Sequence, residues 1–235
     1  MTTENKKVLG VLGGLGPMSS AYFYKMLTEK TRANQDQDHL DMVISSRSST
    51  PDRTNFILGI SKENPLPIMI DEAHRLVNFG AEVIALTCNT AHYFYENLQA
   101  ATTVPILNIG ALAVSEIEKR GIHTVGLLAT SGTVKCGIYQ HACDEKKIAC
   151  LVPSEQEQER VMHIIYEEIK SGKKPDLNQF FALATALKTR GAETIILGCT
   201  ELSLIKQDYA LDESFIDPLE ILAEASIIAC GHQCV

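Results

Sequence analysis

Two cysteines close nearly the same phrase. Gly80-Ala81-Glu82-Val83-Ile84-Ala85-Leu86-Thr87-Cys88-Asn89-Thr90 is answered by Gly191-Ala192-Glu193-Thr194-Ile195-Ile196-Leu197-Gly198-Cys199-Thr200-Glu201. In each, Gly-Ala-Glu leads into a short β-rich apolar run, and the thiol falls where a buried parallel strand gives way to its loop. Thiols at equivalent places in two halves of one chain predict a single site built from both. The chemistry this suits is proton transfer at a carbon beside a carboxylate. Taking a proton from one face and returning it on the other needs a base and an acid on opposite sides of a flat intermediate. Cysteine serves in either role, because donors or a helix N-terminus lower its ordinary pKa of about 8.5 toward neutrality. The competing reading, a small apolar residue at a strand end, explains one such cysteine better than a matched pair.

The residues after each thiol are predicted to begin helices. Asn89-Thr90-Ala91 and Thr200-Glu201-Leu202 then offer backbone N–H groups and short polar side chains to a thiolate or a substrate carboxylate. His92, four residues past Cys88, either tunes that thiol or is a hydrogen-bonded structural histidine. Glu201 either positions Cys199 or caps the helix that follows it.

The elements that must hold these residues alternate between strand and helix. Lys7 to Leu12 reads as a continuous apolar strand. It runs into the Gly13-Gly14-Leu15-Gly16-Pro17 loop and a helix opened by Pro and Ser. A second strand is expected over 41–46, a polar loop through Thr50-Pro51-Asp52-Arg53-Thr54, and a helix over 68–79. The design restarts at His123: Leu9-Gly10 returns as Val125-Gly126, and Cys88 returns as Cys199. Helices are expected over 155–171, 177–190 and 218–229, the last packing back on the first half. The expected fold is α/β, with two pseudo-symmetric lobes, each a parallel sheet flanked by helices, and the active site in the cleft between them. Residues 1–112 with 216–235 are expected to form the lobe carrying Cys88, and residues 113–215 the lobe carrying Cys199.

Composition narrows the partners. The 235 residues carry 29 acidic and 21 basic side chains, a formal charge of −8, and no Lys/Arg cluster. Nucleic acid is therefore not an expected partner, and an acidic substrate would need individually placed cations. No apolar stretch approaches the roughly 20 residues of a bilayer span, and the N-terminus lacks a signal-peptide pattern. A cytoplasmic location is the expectation. Seven cysteines, an odd number in a chain this long, read as free thiols. Neither Cys136, Cys143 and Cys150 nor Cys230, His232 and Cys234 makes a complete metal set. The glycine loop lacks both the dinucleotide spacing and the P-loop Lys-Ser/Thr pair.

Five segments carry a resemblance: Gly13-Gly14-Leu15-Gly16-Pro17, Thr50-Pro51-Asp52-Arg53-Thr54, Thr87-Cys88-Asn89-Thr90-Ala91-His92, Leu128-Ala129-Thr130-Ser131-Gly132-Thr133 and Gly198-Cys199-Thr200-Glu201-Leu202. Together they resemble the aspartate racemase branch of the aspartate/glutamate/hydantoin racemase superfamily, nearly end to end. The resemblance implies a racemase that needs no pyridoxal phosphate, metal or other cofactor, acts on a dicarboxylic amino acid, and forms a homodimer. It implies Cys88 and Cys199 as the proton donor and acceptor, and Asn89, Thr90 and Thr200 as substrate binders. Arg53 and Lys170 are implied as cations for substrate carboxylates, with Arg47 in reserve. Glutamate racemases carry Asp-Ser-Gly in the first loop and Cys-Thr-His at the second thiol; Gly13-Gly14-Leu15-Gly16 and Cys199-Thr200-Glu201 depart from both. Racemisation of aspartate is the expectation. The alternatives are a racemase of glutamate, another amino acid or wider range, and a two-lobed protein that binds a small carboxylate without turning it over.

Overall fold

The computed structural model describes residues 6–235; Met1–Asn5, the expected start of the first lobe, lie outside the described residues. The chain runs β1 (Leu9–Gly13), α1 (Pro17–Lys30), β2 (Met42–Ser46), α2 (Arg53–Leu58), α3 (Leu66–Asn78), β3 (Val83–Leu86), α4 (Tyr95–Ala100) and β4 (Ile106–Leu107), then α5 (Ile109–Lys119). It continues with β5 (Thr124–Ala129), α6 (Ser131–Cys136), α7 (Ile138–Glu145), β6 (Ala149–Leu151), α8 (Glu155–His163), α9 (Leu177–Thr189), β7 (Thr194–Gly198), α10 (Thr200–Tyr209), β8 (Phe215–Ile216) and α11 (Pro218–Ala229).

These strands form two four-stranded parallel sheets, ordered β2-β1-β3-β4 and β6-β5-β7-β8. The orders are identical once β1 is matched to β5 and β3 to β7, as the repeated phrases require. The central strands β1, β3 and β7 are buried at every position, which is why they read as unbroken apolar runs rather than alternating ones. In each sheet the thiol follows a central strand, Cys88 after β3 and Cys199 directly after β7.

The last helix returns to the first sheet. Leu219, Leu222 and Ile227 of α11 are fully buried with Leu9, Val11 and Phe23. Each such side chain contributes roughly 1.5–3 kcal/mol of transfer free energy. Helix α5 serves both cores: Ile109 packs with Leu9 and Leu219, while Ala113, Val114 and Ile117 pack with Val125 and Leu127.

Three local expectations are corrected. The polar loop stops at Asp52, whose side chain accepts from the Asn55 N–H at 2.8 Å and so starts α2 at Arg53. The helix expected over 155–171 is α8 followed by a wide π turn over Ile164–Ile169. There the Lys170 N–H bonds the Ile165 carbonyl, five residues back, at 3.0 Å. After Cys88 comes a 3-10 turn over Thr90–Phe94 rather than a regular helix, with the His92 N–H on the Asn89 carbonyl at 3.0 Å.

Candidate active site

Both thiols lie at the carboxyl ends of their sheets, where an open α/β sheet places its ligand. Arg53, Cys88, Asn89, Thr90, Lys170, Cys199 and Thr200 all line one narrow cavity, together with Leu15, Asp52, Thr54, Thr130, Tyr166 and Glu201. Its free volume is about 10 Å³, roughly the space of one water. It adjoins a vestibule of about 350 Å³ that shares Leu15, Asp52, Arg53, Lys170 and Glu201 with it.

The loop after β1 closes one wall. Gly14 takes a left-handed backbone (φ +79°), and a Cβ there would come within 2.3 Å of the Arg47 nitrogen. Only glycine brings these two strand ends so close. The Gly14 N–H is capped by the Ser20 hydroxyl at 2.9 Å. Arg47 turns away from the cavity to pair with Glu72 at 3.0 Å.

His92 holds the main chain of Cys88 and not its thiol. Its Nε2 accepts from the Ile109 N–H at 3.1 Å, so Nδ1 carries the proton and donates to the Cys88 carbonyl at 2.9 Å. Burial pushes its pKa below the usual value, and the ring is a neutral structural bridge.

Cys199 is the N-cap residue of α10, and its thiol donates to Glu201 Oε2 at 2.8 Å. Burial pushes its pKa well up, and the Glu201 carboxylate adds to the rise; Lys170 opposes both. The helix N-terminus also favours an anion here, yet the two raising influences prevail.

Arg53 is buried, with 7% of its surface exposed. Nη1 donates to the carbonyls of Thr50 (3.3 Å) and Pro51 (3.1 Å), and Nη2 to that of Leu15 (2.8 Å). Its Nε has no hydrogen-bond partner among the described residues. Burial alone would lower its pKa, but the neighbouring Cys88, and then Asp52, hold it above the ordinary value. Lys170 stands 4.2 Å over the Tyr166 ring and 4.0 Å from Asp52 Oδ2. Against the cost of burial, Glu201, Tyr166 and Cys199 raise its pKa.

Asn89 receives the Tyr139 hydroxyl at Oδ1, while its Nδ2 is buried with no partner among the described residues. A buried donor left unpaired costs roughly 1–3 kcal/mol. Asn89 and Arg53, which both line the cavity, thus each keep one buried donor, Nδ2 and Nε, with no hydrogen-bond partner among the described residues. The Thr90 hydroxyl is committed, at 2.9 Å to Thr130 and 2.8 Å to Thr133.

Sequence reasoning did not single out Thr130, Tyr166, Tyr139 or Asp52 as site residues. Thr130 and Asp52 lie within matched phrases. Tyr166 precedes Lys170 by four residues in a segment read as plain helix. Tyr139 has no sequence signal, since it reaches Asn89 from a helix 50 residues away.

Two similar sheets meeting at a pair of buried thiols define an amino-acid racemase fold. The family model for Asp/Glu/Hydantoin racemase matches residues 12–226, and the chain belongs to that family. It is 27% identical to the broad specificity amino-acid racemase RacX of Bacillus subtilis, over 94% of this chain and 96% of the relative. Among solved structures it is similar to Picrophilus torridus aspartate racemase (TM-score 0.83, 28% identity, 97% of this chain and 96% of that one). It is also similar to an aspartate racemase homologue from Pyrococcus horikoshii (TM-score 0.75, 29% identity, 96% and 99%).

Proposed function

We propose that this racemase interconverts L- and D-aspartate by two-base proton transfer at Cα between Cys88 and Cys199, without a cofactor. The observation that carries the reading is that both buried thiols line one cavity whose walls hold Arg53, Lys170 and the unpaired donor of Asn89. One sulfur takes the Cα proton as thiolate while the other delivers a proton to the opposite face, and the roles exchange with the product. The carbanion is stabilised by donors already in place around the α-carboxylate. Asn89 Nδ2 and the N–H groups at the start of α10 supply them, with Thr200 beside Cys199. Lys170 is a point charge for the second carboxylate, and Arg53 flanks the Cys88 side. Residues 1–112 with 216–235 form the unit that presents Cys88, residues 113–215 the unit that presents Cys199, and the active form is a homodimer.

One observation favours a second reading, a broader substrate range. Both terminal nitrogens of Arg53 are engaged by backbone carbonyls, which leaves Lys170 as the cation freer to meet a side-chain carboxylate. The broad specificity relative from Bacillus subtilis agrees with that. Incubation with L-aspartate, L-glutamate and a panel of neutral and basic L-amino acids, followed by chiral chromatography, tests both. Aspartate turning over fastest supports the first reading, comparable rates across the panel replace it with the second, and no racemisation of any amino acid removes both.

A further inference from the structure

Resting on the two-thiol reading, we propose that Glu201 is a positioning residue that keeps Cys199 loaded with its proton, so that Cys88 is the base of the resting enzyme. The geometry is asymmetric about the two sulfurs. The Cys199 thiol donates to a carboxylate at 2.8 Å, and both residues are buried, with 5% and 4% exposed. Among the described residues no carboxylate is hydrogen-bonded to the Cys88 sulfur; there the chain continues as Asn89-Thr90 and the guanidinium of Arg53 is a charged neighbour. A thiolate at Cys199 would lie against the Glu201 anion in a poorly hydrated site, a like-charge contact that favours the protonated sulfur.

The Glu201 carboxylate is seated against the bare glycine of the β1–α1 loop: a Cβ on Gly16 would meet its Oε1 at 2.3 Å, and the residue lines both the vestibule and the thiol cavity. Other groups face Cys199 from every side. Lys170 and Tyr166 come from the π turn and its end, Asp52 and Arg53 from the start of α2, Cys88 from the β3 end, and Tyr139 from α7. Of these Lys170 and Arg53 favour a thiolate, together with the N-terminus of α10. Glu201 is the charged group in hydrogen-bond contact with the sulfur, and it opposes them. After a turnover Cys199 is the thiolate and Cys88 holds the proton taken from Cα; the same contact favours return to the resting form, in which Cys88 releases that proton to solvent and Cys199 takes one up, with no net change in protons and no electrons moved.

The test is the pH dependence of Cys199 alkylation by iodoacetamide, followed by mass spectrometry of the Cys199 peptide, in the full-length protein. It needs no turnover, so it stands apart from whether aspartate is the substrate. Glu201→Gln removes the charge at nearly constant shape, leaving Lys170, Arg53 and the helix N-terminus unopposed. The Cys199 alkylation rate at neutral pH should rise on the order of tenfold and its profile should move to lower pH, while the Cys88 profile stays in place. Glu201→Asp keeps the charge but draws the carboxylate back from the sulfur by one methylene, so its profile should lie between wild type and Glu201→Gln, and it serves if the Gln variant folds poorly. A Cys199 profile that is unmoved or moves to higher pH in these variants overturns the proposal.

Discussion

The hydroxyl of Thr90, just past the β3 end, lies 2.9 Å from that of Thr130, at the β5 end. Thr133 completes the group at 2.8 Å from Thr90 and 3.1 Å from Thr130. Three buried hydroxyls thus tie the two sheets together beside the thiols. Close by, a Cβ on Gly132 would meet the Thr54 Cα at 2.9 Å, so the first turns of α6 and α2 meet with no room for a side chain.

Removing the central hydroxyl should loosen this tie. Thr133→Val keeps the volume and leaves two buried hydroxyls short of a partner, for an expected loss of about 1–2 kcal/mol. Thr133→Ser should retain most of it. Denaturant midpoints of the two variants check this; equal stability would mean that the hydroxyl cluster contributes nothing.

Each thiol should be required. Cys88→Ala and Cys199→Ala should each lower racemisation by on the order of 10³ or more, the scale of a lost general acid or base. In D₂O the first product formed by wild type should carry deuterium at Cα while unreacted substrate stays protiated, because donor and acceptor are different groups. Protium retained in early product would point to a single base.

Arg53→Lys retains the charge but not the fork that holds the carbonyls of Thr50, Pro51 and Leu15. A single ammonium cannot replace that planar array. KM should rise and kcat fall together, with kcat/KM down on the order of 10². Steady-state kinetics decide: wild-type values in Arg53→Lys would remove the guanidinium geometry from the site.

Asp217 links pH to stability. It is buried at the start of α11, accepts from the Ser203 hydroxyl at 2.7 Å and the Leu219 N–H at 2.9 Å, and burial raises its pKa to about 6. The folded chain holds this proton more tightly than the unfolded chain. Its contribution to stability is therefore complete below about pH 4 and is lost as pH rises through about 6. Asp217→Asn has no such proton, so its stability relative to wild type should improve by up to about 3 kcal/mol between pH 4 and 7. Urea titrations across that range measure the change; a constant difference would mean that Asp217 does not titrate there.

Much of the framework was legible in the chain because it rests on local signals. Unbroken apolar runs marked the buried strands, Pro17 and Pro218 opened helices, and the repeated Gly-Ala-Glu phrase exposed the doubling of one design in two lobes; the strand order within each sheet came from the structure. The local differences share a cause. Arg53 reads as a loop residue because a short helix capped by Asp52 has too few residues for periodicity to register. The π turn at Ile164–Ile169 has no sequence signature because one extra residue in a turn leaves the helical pattern almost intact.

The sequence by itself determined that two equivalent strand ends would each carry a thiol, since strand periodicity and an internal repeat are written in neighbouring residues. Only the tertiary structure decided how unlike the two thiols are. Glu201 on Cys199, Arg53 beside Cys88 and Tyr139 on Asn89 act through burial and distances of a few ångströms, and those depend on how distant segments pack. Electrostatic influence at that range is set by separation and by exclusion of water, neither of which spacing along the chain encodes.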